Sequence, residues 1–142
     1  MAQRIELRFA GTMAGFGSAF DELRGRLDGD PLPARARYGV ELVFEEIVAN
    51  IVRHGRDGGG VPSVAVALEV GADAVTMTID DDGPPFDPSG LEDPALPGSL
   101  EDAEIGGLGL MLVRRAVSGM EYGRTADRKN RLVVTIPARA RA

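Results

Sequence analysis

The segment from Pro33 to about His54 has to form a largely buried helix, and this requirement limits the folds that are open to the chain. Its apolar residues recur at helical spacing but cover too wide an arc for a helix on the surface. They are Val40, Val43, Phe44, Ile47, Val48, Ile51 and Val52. Such a helix must be covered by another layer of secondary structure, which the remaining segments have to supply.

Strands supply that layer. Residues 4–9, 64–70 and 75–80 alternate apolar and polar side chains with the period of a half-buried β-strand, and residues 120–124 and 131–137 are two further strand candidates. Helical spacing predicts two more helices, over residues 13–27 and 108–118. The connections are hairpin-like rather than repeated β-α-β units. This order predicts an α+β two-layer sandwich, with a mostly antiparallel, mixed sheet and helices on one face.

The composition narrows the class of protein. With 142 residues, 44% of them hydrophobic, and neither a repeat nor a linker, the chain predicts a single domain over residues 1–142. The absence of cysteine excludes disulfides and zinc–thiolate sites. A formal charge of -6 argues against nucleic acid as a partner. The first residues contain no continuous apolar stretch, so we expect no signal peptide, no membrane span and a cytoplasmic protein.

Three polar residues interrupt the apolar pattern of the long helix. Glu46, Asn50 and His54 follow each other at intervals of four, and steps of four drift by only about 40° around a helix. They therefore form one polar stripe beside the buried face. The stripe is either a polar helix edge in contact with water, with Arg37 and Arg53 as ion-pair partners, or part of a functional site.

A second group of polar residues, from Asp81 to Pro88, follows directly after a strand. An aspartate at the end of a buried strand can accept a hydrogen bond from an exocyclic amine, and Gly83 allows a flat ring to approach the backbone. The alternative is an ordinary turn, because Asp, Gly and Pro are common turn residues.

The third group, from Gly106 to Leu110, places glycines before an apolar helix. Exposed backbone N–H groups at the positive end of a helix dipole are typical of phosphate binding, although a hinge or a plain helix start would use the same residues. The pattern is neither a Walker A motif nor a dinucleotide fingerprint. The preceding segment from Asp80 to Glu104 has nine acidic residues and no Lys or Arg, and its prolines predict a mobile loop.

Together, a helical E-x-x-x-N, a D-x-G after a strand and a G-x-G that opens a helix resemble the Bergerat ATP-binding fold of the GHKL superfamily. The similarity is greatest to the anti-sigma-factor serine kinases, with their E-x-x-x-N-x-x-x-H-G, D-x-G-x-x-F-D-P and G-G-x-G-L-x-L-[IV]-R motifs. These correspond to Glu46 to Gly55, Asp81 to Pro88 and Gly106 to Arg114. The resemblance spans roughly residues 4 to 137.

The resemblance implies a role for each matching residue. Glu46 would be the general base, Asn50 would hold Mg2+, and Asp81 would accept a hydrogen bond from the adenine amino group. The residues implied in ATP binding are Asn50, Arg53, His54, Asp81, Gly83, Phe86, Gly106, Gly107, Leu108, Gly109 and Leu110. The loop at about residues 88–106 would be the lid. One departure from the wider superfamily is Pro85, which occupies the position of the second Gly in D-x-G-x-G.

The function that the resemblance implies is an ATP- and Mg2+-dependent serine/threonine kinase. Its implied partners are a STAS-type antagonist that is phosphorylated, a sigma factor that is held inactive, and a second copy of the chain in a homodimer. Two other functions stay open from the residues. One is a catalytically silent nucleotide-binding module that only sequesters a partner. The other is the catalytic fragment of a histidine kinase, which is disfavoured because the sole His lies within the helix that the resemblance assigns to ATP binding.

Overall fold

The computed structural model describes residues 3–56, 59–90 and 107–138. Within these ranges the strands are β1 (Gln3–Ala10), β2 (Ser63–Val70), β3 (Ala74–Asp81), β4 (Gly119–Arg124) and β5 (Asn130–Pro137). The helices are α1 (Met13–Gly29), α2 (Ala34–Val43), α3 (Ala49–Gly55) and α4 (Gly107–Ala116). A π-helical turn, Phe44–Val48, joins α2 to α3, and a short 3-10 turn covers Pro88–Gly90.

The strands form one sheet in the order β1-β2-β3-β5-β4. All four pairings between the described strands are antiparallel, so the mixed element of the predicted sheet is not seen among them. Leu68 lies opposite Ile5 on one side and Met77 on the other, and Met77 lies opposite Val134. These four buried side chains form an apolar row across one face, as the alternation in the sequence requires. The predicted α+β fold is confirmed.

The helices cover this apolar face. Phe44, which is fully buried, packs its ring against those of Phe9, Phe16 and Phe20, with centroid distances of 6.0, 5.4 and 5.2 Å. Each such pair adds about 0.5–1.5 kcal/mol to the stabilisation from burial alone. The cluster therefore fixes the long helix against both β1 and α1.

The predicted long helix is continuous, from Ala34 to Gly55, but it contains the π-helical turn at Phe44–Val48. Glu46 lies in this turn, while Phe44, Ile47 and Val48 are fully buried. Single π turns inside α-helices are frequent at functional sites. Three buried anchors in one turn leave the backbone around Glu46 little freedom to move.

The other face of the sheet is polar. Arg4 forms ion pairs with Glu6 and Glu69, and Arg131 pairs with Asp80 through two hydrogen bonds of 2.7 Å. No helix in the described part of the chain is both long and apolar enough to cross a membrane. The predicted lid lies outside the described residues, except for its first turn at Pro88–Gly90.

Candidate functional site

The end of α3 meets the loop that follows β3. The Cα atom of Gly55 lies 3.4 Å from the place that a β-carbon on Gly83 would occupy, so the two glycines bring the backbones together. One residue earlier on the helix, the His54 ring stacks on Phe86 with a centroid distance of 4.0 Å and an interplanar angle of 24°. The first two predicted motifs are therefore in direct contact.

Asp81 is the buried polar centre of this region, with 5% of its surface exposed. Its Oδ1 atom accepts hydrogen bonds from the backbone N–H of Gly83 at 3.0 Å and from the side-chain amide of Asn130 at 2.9 Å. The Asn130 amide also donates to the carbonyl oxygen of Pro84 at 2.8 Å. One side chain on β5 thus holds both the carboxylate and the loop behind it.

Asn130 links this loop to the edge strand β4 as well. Its Oδ1 atom accepts hydrogen bonds from the Phe86 N–H at 3.3 Å, the Tyr122 hydroxyl at 2.5 Å and the Arg124 guanidinium at 3.0 Å. Sequence analysis missed Asn130, although a signal exists. Asn130 continues the two-residue period of the buried positions Leu132, Val134 and Ile136, so its polar side chain points into the core.

Burial raises the pKa of Asp81 above the ordinary value for an aspartate. The hydrogen bonds from Asn130 and Gly83 oppose this shift, because they stabilise the ionised form. Asp82 raises the pKa further and Arg124 lowers it. The carboxylate is therefore kept in a position where ionisation is penalised, which is common at functional sites.

Glu46 lies against the first turns of α4. A β-carbon on Gly109 would overlap Oε2 and Cδ of Glu46 and would lie 2.8 Å from its Cγ atom. The pKa of Glu46 is raised chiefly by burial and also by the neighbouring carboxylate of Glu45, whereas Arg53 lowers it. The first and third predicted motifs are thus also in contact, at the end of α4 where free N–H groups are found.

Asn50, the next residue of the predicted polar stripe, is nearly buried, with 9% of its surface exposed. Its Oδ1 atom accepts a hydrogen bond of 3.2 Å from the Arg53 guanidinium. Among the described residues, no group of three or more His, Cys, Asp and Glu side chains could hold a metal ion. A cation bound at Asn50 would therefore need most of its ligands from another molecule or from water.

The remaining residues of the glycine motif differ in what they can contribute. Gly107 is the first residue of α4, and Gly106 lies outside the described residues. The side chain of Leu110 is only 2% exposed and belongs to the hydrophobic core. Leu110 therefore anchors α4 to the core and offers no side-chain group to a ligand. Leu108 belongs to the same turn.

Arg114, on the last turns of α4, ties this helix to the start of the predicted lid. Its guanidinium donates a hydrogen bond of 3.1 Å to the carbonyl oxygen of Ser89. The Ser89 N–H and hydroxyl in turn donate to the Asp87 carboxylate, which closes the short turn at Pro88–Gly90. The arginine at the end of the G-x-G motif therefore holds the first turn of the predicted lid.

The long helix takes part in both contacts, that of Glu46 with α4 and that of Gly55 with the loop after β3. Glu46 and Gly55 are nine positions apart on it, which corresponds to about 13 Å at 1.5 Å per residue. A cavity of about 270 Å³ lies at the Gly55 end of this stretch, between Gly55, Pro62 and Gly83. Glu46 and Gly109 do not line it. Asp81 does not line this cavity either, so the cavity adjoins the contact between the two glycines without joining the predicted base and phosphate positions.

Two comparisons with known proteins show the family of the chain. The sequence model of the histidine kinase-like ATPase domain family matches residues 17–136 of the chain. The chain is also similar to the serine/threonine-protein kinase BtrW of Bordetella bronchiseptica. The two are 34% identical over 106 residues, which cover 75% of this chain and 74% of the relative.

Proposed function

Since the chain belongs to the histidine kinase-like ATPase family, we propose that it is an ATP- and Mg2+-dependent serine/threonine protein kinase of the cytoplasm. In this proposal it is an anti-sigma-factor-type switch that phosphorylates a STAS-type antagonist and sequesters a sigma factor. The observation that carries the proposal is the contact between Glu46 and α4 at Gly109. It brings a proton acceptor to the helix end that would hold phosphate groups.

The reaction is the transfer of the γ-phosphoryl group of ATP to a Ser or Thr hydroxyl. Glu46 accepts the hydroxyl proton, the hydroxyl oxygen bonds to the γ-phosphorus, and the bond from this phosphorus to the bridging oxygen breaks to release ADP. Because burial raises the pKa of Glu46, its carboxylate is a better proton acceptor than an exposed one. One base and a set of backbone donors suffice, since phosphoryl transfer depends mainly on positioning and charge neutralisation.

Asp81 would select the nucleobase. The hydrogen bonds that reach its carboxylate from the described residues end on Oδ1. Oδ2 is therefore the oxygen that would accept a hydrogen bond from an amino group, with Gly83 beneath the ring. A base with a carbonyl at this position would place two acceptors against each other, which is costly in a buried site. This argument favours adenine over guanine.

Asn50 fits a role as a ligand of Mg2+, because it offers an amide oxygen and Mg2+ prefers oxygen ligands. The same oxygen accepts a hydrogen bond from Arg53. A cation bound there would repel the Arg53 guanidinium, which would then be available to phosphate oxygens. Bound Mg2+ would neutralise the charge that develops on the phosphates.

The polar face of the sheet supports the proposed homodimer. Its exposed charges alternate in sign along β1, at Arg4, Glu6 and Arg8, and small side chains such as Ala65 and Ala67 leave a groove of about 320 Å³ beside them. A face of alternating charge can pair with a second copy of itself around a two-fold axis.

Phosphoryl transfer to a candidate partner tests the proposal directly. The purified protein is incubated with ATP, Mg2+ and the STAS-domain protein encoded nearest to its own gene, and phosphorylation of the partner is followed by intact-protein mass spectrometry. We expect the wild-type chain to add phosphate to a Ser or Thr of this partner. Glu46→Gln should slow the transfer by at least about 100-fold and still bind ATP, because only the proton acceptor is lost.

Glu45→Gln is the matched control, since this neighbouring residue is exposed and should not touch the substrate. Its rate at neutral pH should stay close to that of the wild type. A chain that binds ATP but transfers phosphate to no hydroxyl-bearing partner would favour the nucleotide-binding interaction module. A chain that binds no ATP at all would contradict the whole proposal.

A further inference from the structure

Among the α-helical glycines whose surroundings the structure describes, Gly109 is the one that lies against a carboxylate side chain. A β-carbon on Gly17, Gly25 or Gly29 of α1 would meet no other atom within 4 Å, and one on Gly15, Gly39 or Gly55 would crowd backbone or apolar atoms of Ala10, Ile136 or Pro62. A β-carbon on Gly109 would overlap the end of the Glu46 side chain and lie 2.8 Å from its Cγ atom, well below the contact distance of about 3.5–4.0 Å for carbon atoms. The missing side chain at position 109 is what leaves room for the carboxylate.

The backbone around Glu46 cannot yield instead. Glu46 lies in the π-helical turn, where Phe44, Ile47 and Val48 are fully buried. On the other side, α4 is anchored by Leu110, which is 2% exposed, and Val113, which is fully buried. Any side chain at position 109 would therefore displace the flexible end of Glu46 rather than either helix.

A glycine at this position of α4 also has a cost for the helix. Gly109 is in the first turn, where the backbone N–H has no acceptor within the helix, and alanine is a better helix former than glycine. The N–H group itself does not require glycine, since every residue except proline carries one. An N–H donor to phosphate therefore does not by itself require glycine at position 109.

We infer that Gly109 is a positioning residue for Glu46, which keeps the carboxylate against α4, and that this role is separate from any contact between the Gly109 backbone and phosphate. The inference rests on the proposed function only where catalysis is concerned. It assigns the loss of activity on substitution to a displaced base and not to weaker ATP binding.

Gly109→Ala tests the assignment through the split between binding and turnover. The dissociation constant of ATP should stay within about threefold of the wild-type value, because the N–H donor is kept. The turnover number for phosphoryl transfer should fall by at least about tenfold, because small misplacements of a catalytic group have large effects on the rate. Gly25→Ala on α1, where a β-carbon meets nothing, should change neither quantity.

A second variant distinguishes displacement of the base from general damage. Glu46→Asp shortens the side chain by one methylene and withdraws the carboxylate from position 109. Added to the Glu46→Asp variant, Gly109→Ala should cause less than about a twofold further loss of turnover. Equal, independent losses in the two backgrounds, or a parallel loss of ATP affinity in Gly109→Ala, would overturn the inference.

Stability gives a readout that does not need the kinase activity. In the otherwise wild-type protein the gain in helix propensity from Gly109→Ala should be offset by crowding of Glu46, so the urea midpoint should rise little or fall. In the Glu46→Ala background the same change should raise the midpoint, because only the gain in helix propensity remains. If the wild type transfers no phosphate, the proposed function fails while this cycle still decides the inference. The same effect of Gly109→Ala in both backgrounds would refute it.

Discussion

Asn130 donates a hydrogen bond of 2.9 Å from its side-chain amide to Oδ1 of Asp81, and the two residues lie directly opposite each other on β5 and β3. The pair is buried, with 3% and 5% of the respective surfaces exposed. A carboxylate in this position would be free to rotate if the Gly83 N–H were its only partner. The amide fixes one of its oxygens, so the other is presented in a defined direction.

Asn130→Ala should therefore weaken both stability and nucleotide binding. The substitution leaves the Asp81 carboxylate and the Pro84 carbonyl oxygen without their buried donor. Each buried acceptor that loses its hydrogen bond lowers the free energy of unfolding by about 1–3 kcal/mol. Urea unfolding gives the change in stability and a titration with ATP gives the change in affinity. Arg131→Ala is the matched control, because this neighbour lies in an exposed ion pair with Asp80 that is worth at most about 1 kcal/mol. Equal behaviour of the two variants would contradict the role of Asn130.

Glu45→Gln should move the acidic limb of the activity profile to lower pH. Burial, and then the negative charge of Glu45, raise the pKa of Glu46, so removal of that charge lowers it. The base is active only when ionised, and it should therefore stay active at a lower pH than in the wild type. The rate of phosphoryl transfer at saturating ATP, measured from acidic to neutral pH, checks this. The difference between the variants should shrink at high salt, since exposed charges are screened. Coincident profiles at low salt would rule out the effect of Glu45.

The pH dependence of stability should reveal Asp81 in the nucleotide-free protein. Because its pKa is raised on folding, chiefly by burial, its contribution to stability is fully present below the unfolded pKa and is lost as pH rises through the folded pKa. Asp81→Asn cannot ionise and should lose less stability between acidic and neutral pH. Asp127→Asn is the opposite control, because the Thr125 hydroxyl lowers the pKa of Asp127, so that its contribution is lost as pH falls. Urea unfolding at several pH values separates the two slopes.

The strands of the sheet could be predicted from the sequence, because the spacing of apolar residues shows which side chains are buried. The alternation in residues 4–9 and 64–70 predicted β1 and β2 to within one residue at each end. The ends of β3 and β5 were placed one residue short, at Asp81 and Asn130. A polar residue normally marks the end of a buried strand, whereas these two satisfy each other inside the sheet. The order of the three motifs along the chain indicated the superfamily, and the family match confirms it.

Two features of the candidate site depend on tertiary structure and could not be read from periodicity. The π-helical turn around Glu46 hardly disturbs the apolar pattern of the long helix, so a single α-helix was expected there. The approach of Gly109 to Glu46 depends on how the long helix and α4 pack, and the glycine motif predicted only a phosphate cradle. The roles of Asn50, Arg53 and Asp81 in nucleotide binding stay predictions that ligand titrations have to test.

His54 and Phe86 should contribute to stability as a pair. Their rings stack at 4.0 Å and join the end of α3 to the loop after β3, and such contacts contribute about 0.5–1.5 kcal/mol beyond burial. His54→Ala, Phe86→Leu and the double variant form a cycle whose coupling energy, from urea unfolding, should fall in this range. Additive effects of the two substitutions would show that the stacked pair does not stabilise the loop.

Arg128→Gly should stabilise the protein, because the turn between β4 and β5 places Arg128 in the left-handed region with φ of 63°. The turn is closed by hydrogen bonds from the Thr125 N–H to the Lys129 carbonyl oxygen at 2.9 Å and from the Arg128 N–H to the Thr125 carbonyl oxygen at 3.0 Å. Left-handed backbone costs about 1–2 kcal/mol at a residue other than glycine, and part of the gain is offset by the greater freedom of glycine in the unfolded chain. We expect a net increase of about 1 kcal/mol in the free energy of unfolding. Arg128→Ala removes the same charge but keeps the strain, so it should give no such increase, and equal stabilisation by both variants would assign the effect to charge instead of backbone conformation.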